Sequence, residues 1–167
     1  TTSFSFSSSH LYPVSVGGRL FAVNTRSRKS ILEYDARSGV SLGTVCELTT
    51  DDEYSGFAIV GERVFYIDGA GDLAAEDLPC TGTAEKLLDA DQHAINGRSM
   101  YGIGDQLISV GFKMPDQYEI RRHNTATGAV EEILLTLSDE EVFGAFFAGD
   151  DGLYWVRFDE ETLRLAV

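Results

Sequence analysis

Apolar positions along the chain fall in short runs, not in helical stripes. "FAIV" and "RVFYI" are apolar on both faces, and "GLYWVRF" is rich in aromatic and β-branched residues. Runs of this length and composition predict strands packed on both sides. "YEIRRH" and "TLRLAV" alternate polar with apolar residues, as strands near a solvent edge do. "GTAEKLLDADQ" has helix-like spacing, but its place in the sequence argues for an outer strand.

The runs recur. "YPVSVGGRLFAV", "SGFAIVGERVFYI", "SMYGIGDQLISV" and "GAFFAGDDGLYWV" each place a Gly-bearing tight turn between two apolar half-strands. Their glycines Gly18, Gly61, Gly104 and Gly149 are 43, 43 and 45 residues apart. A second turn, Ser or Thr followed by Gly39, Gly82 or Gly128, comes 21, 21 and 24 residues later. Glycine is what such a turn needs at a positive-φ position. Two hairpins per unit make four strands, an inner pair and an outer pair. The fourth unit reaches Val167 after three, "VFGAFFA", "GLYWVRF" and "TLRLAV".

A four-stranded unit of about this length, punctuated by glycine turns, resembles the β-propeller blade of the kelch, WD40 and quinoprotein-like families. The resemblance implies an all-β single domain with blades at about 10–49, 50–90, 91–136 and 137–167. The opening "TTSFSFSSS" alternates Phe4 and Phe6 with serine, the pattern of a half-buried strand. Residues 1–9 are therefore expected to complete the fourth blade and close a four-bladed β-propeller, which would remove the free sheet edge. The alternative is a fragment of a larger propeller.

At 167 residues the chain is long enough for a sizeable core. A formal charge of −14, from 27 acidic and 13 basic residues, argues against nucleic-acid binding and against adsorption to anionic membrane. No apolar run reaches the ~20 residues of a membrane span. Cys46 and Cys80 have no metal-ligand spacing and are read as structural, with a bridge between them left open.

In a propeller the loops between blades gather on one face, and here they are acidic. "TDDEYSGFAIVG" (Thr50 to Gly61) returns as "SDEEVFGAFFAG" (Ser138 to Gly149). A closed ring would set Asp51, Asp52 and Glu53 across a central opening from Asp139, Glu140 and Glu141. Clustered carboxylates suit a basic partner or a divalent cation, calcium first. His10 and His93 fall in connecting loops, Arg26, Arg28 and Lys29 in another, and "RRH" (Arg121 to His123) on an outer, solvated strand. "DGAGDLAAED" is read as a plain turn and Trp155 as core. The chain carries no G-x-S-x-G, H-E-x-x-H or P-loop. The expectation is a non-enzymatic module that binds a protein partner through its acidic loop face and needs no cofactor. The alternatives are a cation or small ligand at the channel mouth, or a carboxylate-dependent glycan hydrolase or lyase.

Overall fold

The computed structural model describes residues 10–24, 30–48, 57–93, 95, 99–113, 117–138, 144–148, 152–158 and 163–166. The first sheet is a meander of β1 (His10–Val16), β2 (Arg19–Asn24), β3 (Ser30–Asp35) and β4 (Ser41–Glu47). The second comprises β5 (Phe57–Val60), β6 (Arg63–Ile67), β7 (Leu73–Asp77) and β8 (Glu85–Leu88), followed by a one-turn helix α1 (Ala90–His93). The third holds β9 (Met100–Ile103), β10 (Gln106–Lys113), β11 (Gln117–His123) and β12 (Val130–Ser138). The fourth has three strands, β13 (Gly144–Ala148), β14 (Leu153–Phe158) and β15 (Leu163–Ala166). Neighbouring strands are antiparallel throughout.

The inner hairpins of the first three sheets close with two residues between paired ends, Val16↔Arg19, Val60↔Arg63 and Ile103↔Gln106, whereas the fourth has four between Ala148 and Leu153. Gly17 and Gly18 both have positive φ, 57° and 78°, the backbone whose twist matches a tight hairpin. The outer turns of the first and third sheets share one construction. Asp35 Oδ1 accepts from the N–H groups of Arg37 and Ser38, and Asn124 Oδ1 from those of Ala126 and Thr127. "DARSG" and "NTATG" are thus the same turn with interchangeable acceptors. In the second sheet the acceptor comes from the strand instead. Glu76 Oε1 takes the N–H groups of Thr81, Gly82 and Thr83 at 2.5–3.0 Å.

The core lies between sheets. Phe21, Ile31, Cys46, Phe57, Val64 and Tyr66 fill the layer between the first and second. Ala58, Phe65, Leu73, Met100 and Leu107 fill the next, and Ile108, Val110, Ile120 and Leu137 meet Leu153 of the fourth. The first strands follow one another, β1 on β5, β5 on β9 and β9 on β13. At β5–β9 the approach is so close that a Cβ on Gly102 would stand 1.8 Å from the carbonyl oxygen of Ile59.

The expected closed four-bladed ring is corrected. None of these sheets is closed or curled into a ring, the fourth contains three described strands, and β13 has no packing on β1 comparable to the other three junctions. The reason is physical: a repeat specifies the meander and the contact with its neighbour, while closure depends on the small rotation accumulated at every junction. Residues 1–9, assigned to the closing strand, lie outside the described residues.

Candidate functional site

The sheets are joined by a contact that repeats, in which the outer turn of one sheet covers the outer strand of the sheet before it. The turn of the second sheet meets β4, where Cys80 N–H donates to Val45 O at 2.8 Å and Cys80 is disulfide-bonded to Cys46. The turn of the third sheet meets β7 and β8, where Gly128 lies against Leu73, Leu87 and Leu88. Arginines tie the same junctions at the inner hairpins. Arg19 forks onto Glu33 at 2.8 and 3.0 Å, reaches across to Glu62 at 2.8 and 2.9 Å, and stacks over Phe21. Its hydrogen bonds hold the Glu33 carboxyl below the usual range. Arg63, one repeat on, pairs with Glu85, stacks over Phe65 and donates to Thr125 O of the third sheet at 3.3 Å.

The residues covered at each junction occupy equivalent places. Val45 and Cys46 stand six and seven residues after Gly39, and Leu87 and Leu88 five and six after Gly82. Leu134 and Leu135 stand six and seven after Gly128. In the third sheet no turn among the described residues covers this place. Val130, Ile133, Leu134 and Leu135 are 41–49% exposed, on a nine-residue strand at the sheet edge. A register shift between Ile120↔Leu135 and Arg121↔Ile133 leaves Leu134 as the extra residue of a bulge. The other outer edges differ: β4 is held by Cys80, and β8 is four residues long with Glu85 and Lys86 exposed. Such devices suppress unwanted pairing. β12 has Glu131 and Glu132 but is otherwise long and apolar.

A buried polar cluster fastens the second sheet to the third. Arg121 donates from Nε and Nη2 to Glu119 Oε2 at 2.9 and 2.8 Å and from Nη1 to His93 O. His93 donates from Nε2 to Gly71 O and accepts from the Ile95 N–H at Nδ1. His123 donates from Nδ1 to Gly128 O and accepts the Ser109 hydroxyl at Nε2, both at 2.7 Å. Burial pushes the His123 pKa down, assisted by Arg121 and His93. The hydroxyl–imidazole pair resembles a nucleophile with its base, yet Ser109 is 0% exposed. The expectation that Arg121 and His123 are solvated is corrected: both are buried, and Arg122 alone of the three is half-exposed. A buried Arg gains from a carboxylate two positions along the same strand face, and Glu119 fills that place here.

Asp51, Asp52, Glu53, Asp139, Glu140 and Glu141 lie outside the described residues, as do Arg26, Arg28 and Lys29. Their opposition across a central opening rested on the closed ring and is withdrawn with it. Asp68 and Asp72 do lie near α1. Asp68 Oδ1 accepts the N–H groups of Ala70 and Asp72, while Asp72 accepts the Ala90 N–H and pairs with Lys86 at 3.2 Å. That is a turn and a strand-to-helix tie, as read from "DGAGD". At the other end of the sheets, a hollow of about 390 Å³ is lined by Ser15, Val16 and the glycines 17, 18, 61, 102 and 104. Among the described residues, no helix is long and apolar enough to cross a membrane.

No protein-family model and no curated protein matches this sequence. Solved structures similar to it include BamB from Moraxella catarrhalis, 17% identical with 87% of this chain covered and a TM-score of 0.40. The N-terminal domain of Nup159 is 13% identical with 97% covered and a TM-score of 0.34. Puromycin hydrolase is 15% identical with 83% covered and a TM-score of 0.47. The chain spans 39%, 38% and 23% of their respective lengths. The likeness extends to an all-β arrangement of antiparallel sheets.

Proposed function

We propose that the chain is a non-enzymatic binding module that accepts an extended segment of a protein partner along β15 and across β12. The observation that carries this reading is the open place at Leu134 and Leu135, whose equivalents in the first two sheets each lie beneath the turn of the next. A segment pairing with the edge of β15 that has no neighbour among the described residues would stand where β4, β8 and β12 stand in their own sheets. A turn at its start would fall on the apolar patch of β12. Strand addition of this kind draws affinity from main-chain hydrogen bonds and specificity from side-chain pockets. Asp51, Asp52, Glu53, Asp139, Glu140 and Glu141 serve in this reading as an acidic rim that favours a basic partner.

The test is affinity capture from a cell extract, with cross-linking, using the wild-type chain and Leu134→Glu/Leu135→Glu as baits. The reading expects a partner cross-linked to β12 or β15 that the double variant loses by tenfold or more at unchanged melting temperature. Equal capture by the two baits would rule it out. Combined Asp51→Asn, Glu53→Gln, Asp139→Asn and Glu141→Gln should slow association and flatten its salt dependence.

A second reading, a small ligand, is supported by the glycine-lined hollow, where main-chain groups are approachable. Fragment titration should shift the amide resonances of Gly17, Gly18, Gly61 and Gly104; unmoved resonances across the library would remove this reading.

A further inference from the structure

The Cys46–Cys80 bridge shares its surroundings with a buried carboxylate that is only half used. Glu76 is 5% exposed, its Oε1 is taken by the three amides of the outer turn, and its Oε2 has no hydrogen-bond partner among the described residues. One oxygen of Glu76 and the two sulfurs all lie within 4.8 Å of one another. Leaving a buried polar atom without a partner is destabilising, so an atom kept in this state points to a group that joins it in another state of the protein.

We infer that the reduced chain binds one zinc ion through Cys46 Sγ, Cys80 Sγ and Glu76 Oε2, so that the first two sheets are clasped either by a disulfide or by a metal. Zinc with thiolate ligands at about 2.3 Å and a carboxylate at about 2.0–2.2 Å needs donor atoms roughly 3.5–3.8 Å apart. The carboxylate oxygen already lies within 4.8 Å of both sulfurs. The sulfurs, bonded to each other in the oxidised chain, must part on reduction to reach that separation. Two thiolates select a soft cation such as zinc over calcium or magnesium. The three amides on Oε1 orient the carboxylate, as outer partners of metal ligands do. A fourth position is left on the half-buried Cys80 side, where water can complete the tetrahedron.

The interconversion balances with a dithiol reductant. Its thiolate attacks Sγ of Cys80, the more exposed of the two residues, and Cys46 leaves and is protonated. The second thiol of the reductant then displaces Cys80 from the mixed disulfide and becomes its own disulfide. Two electrons and two protons have been transferred to the chain. Zinc binding afterwards releases the two thiol protons to solvent.

The experiment reduces the full chain, removes the reductant without oxygen, and titrates zinc against a chromophoric chelator. Cobalt(II) serves as a spectroscopic substitute. Far-UV circular dichroism is recorded before and after metal. The expected result is one zinc per reduced chain and none on the oxidised chain, with a thiolate-to-cobalt charge-transfer band and tetrahedral cobalt absorption. Cys80→Ser should lose the band. Glu76→Gln keeps an oxygen for the three amides and should bind at least tenfold more weakly. If reduction alone unfolds the chain, zinc should restore the β spectrum. Absence of binding by the reduced chain, equal affinity in Glu76→Gln, or an unfolded reduced chain that zinc does not restore would each overturn the inference.

Discussion

Gly102 offers the sharpest test of how the sheets are held together. It lies on β9 with backbone that any residue can adopt, so its requirement is space and not conformation. An alanine Cβ there would be 1.8 Å from Ile59 O and 2.8 Å from Ile59 C, both main-chain atoms of β5 that no rotamer change can move. Ordinary contact at about 3.4 Å would require β5 and β9 to part by roughly 1.6 Å, and a gap of 0.5–1 Å already forfeits a quarter to a half of each dispersion contact. Ala58, Val60, Met100 and Leu107 would share that loss. Overpacking in a core costs about 1–3 kcal/mol where side chains can yield; here the backbone must move, so Gly102→Ala should cost at least about 3 kcal/mol. For a chain of this length that is a fall of roughly 6–12 °C in melting temperature. Gly104, two residues on, is the control: it has φ of 60° and nothing within 4 Å of its Cβ position. Gly104→Ala should cost only the ~1–2 kcal/mol of left-handed backbone, and Gly104→Asn less. The measurement is urea and thermal unfolding of all three variants. Gly102→Ala within 1 kcal/mol of wild type, or no worse than Gly104→Ala, would refute a backbone-to-backbone junction.

Three further outcomes are expected. Reducing the disulfide with zinc absent frees a 34-residue closure, worth about 4 kcal/mol in loop entropy and roughly 8–16 °C in melting temperature; a calorimetric shift under 2 °C would contradict this. The His123 pKa is depressed from 6.5 in the folded state, so its contribution is complete above that pH. Stability should fall below it by up to about 1.4 kcal/mol per pH unit, and His123→Gln should flatten the denaturation profile between pH 7 and 5. A double-mutant cycle on Arg19→Ala and Glu62→Ala should give a coupling of about 0.5–1 kcal/mol that weakens in 1 M salt.

Much of the local fold was legible because glycine marks where the chain must turn. Gly18, Gly61 and Gly104 located the inner hairpins, and Gly39, Gly82 and Gly128 the outer ones, since few other residues accept that backbone. The apolar runs gave strand length and depth of burial. Leu87 and Leu88, which looked helical, belong to a strand because the turn of the third sheet demands apolar cover there; the helical tendency survives only as Ala90–His93. Ring closure was not legible, because no single residue encodes a rotation between sheets. Nor was the buried Glu119–Arg121–His93 cluster, since alternating charge on a strand reads the same whether solvent or another sheet faces it. The Cys46–Cys80 pairing depends on which turn meets β4, a contact between repeats that spacing within either repeat does not contain. In the sequence the acidic loops stood out as the candidate site and β12 did not, because the exposure of Leu134 and Leu135 follows from what the next sheet leaves uncovered and not from the strand's own pattern.

The covering of each outer strand by the following turn also sets an order of events during synthesis. At 5–20 residues per second, the 34 residues from Cys46 to Cys80 take about 2–7 s to emerge from the ribosome. Through that interval β4 has no lid and its thiol no partner. β8 then waits in the same way for Gly128. The nascent chain therefore presents one uncapped apolar strand at a time, passed forward from the first sheet to the second and on to β12 of the third as translation proceeds.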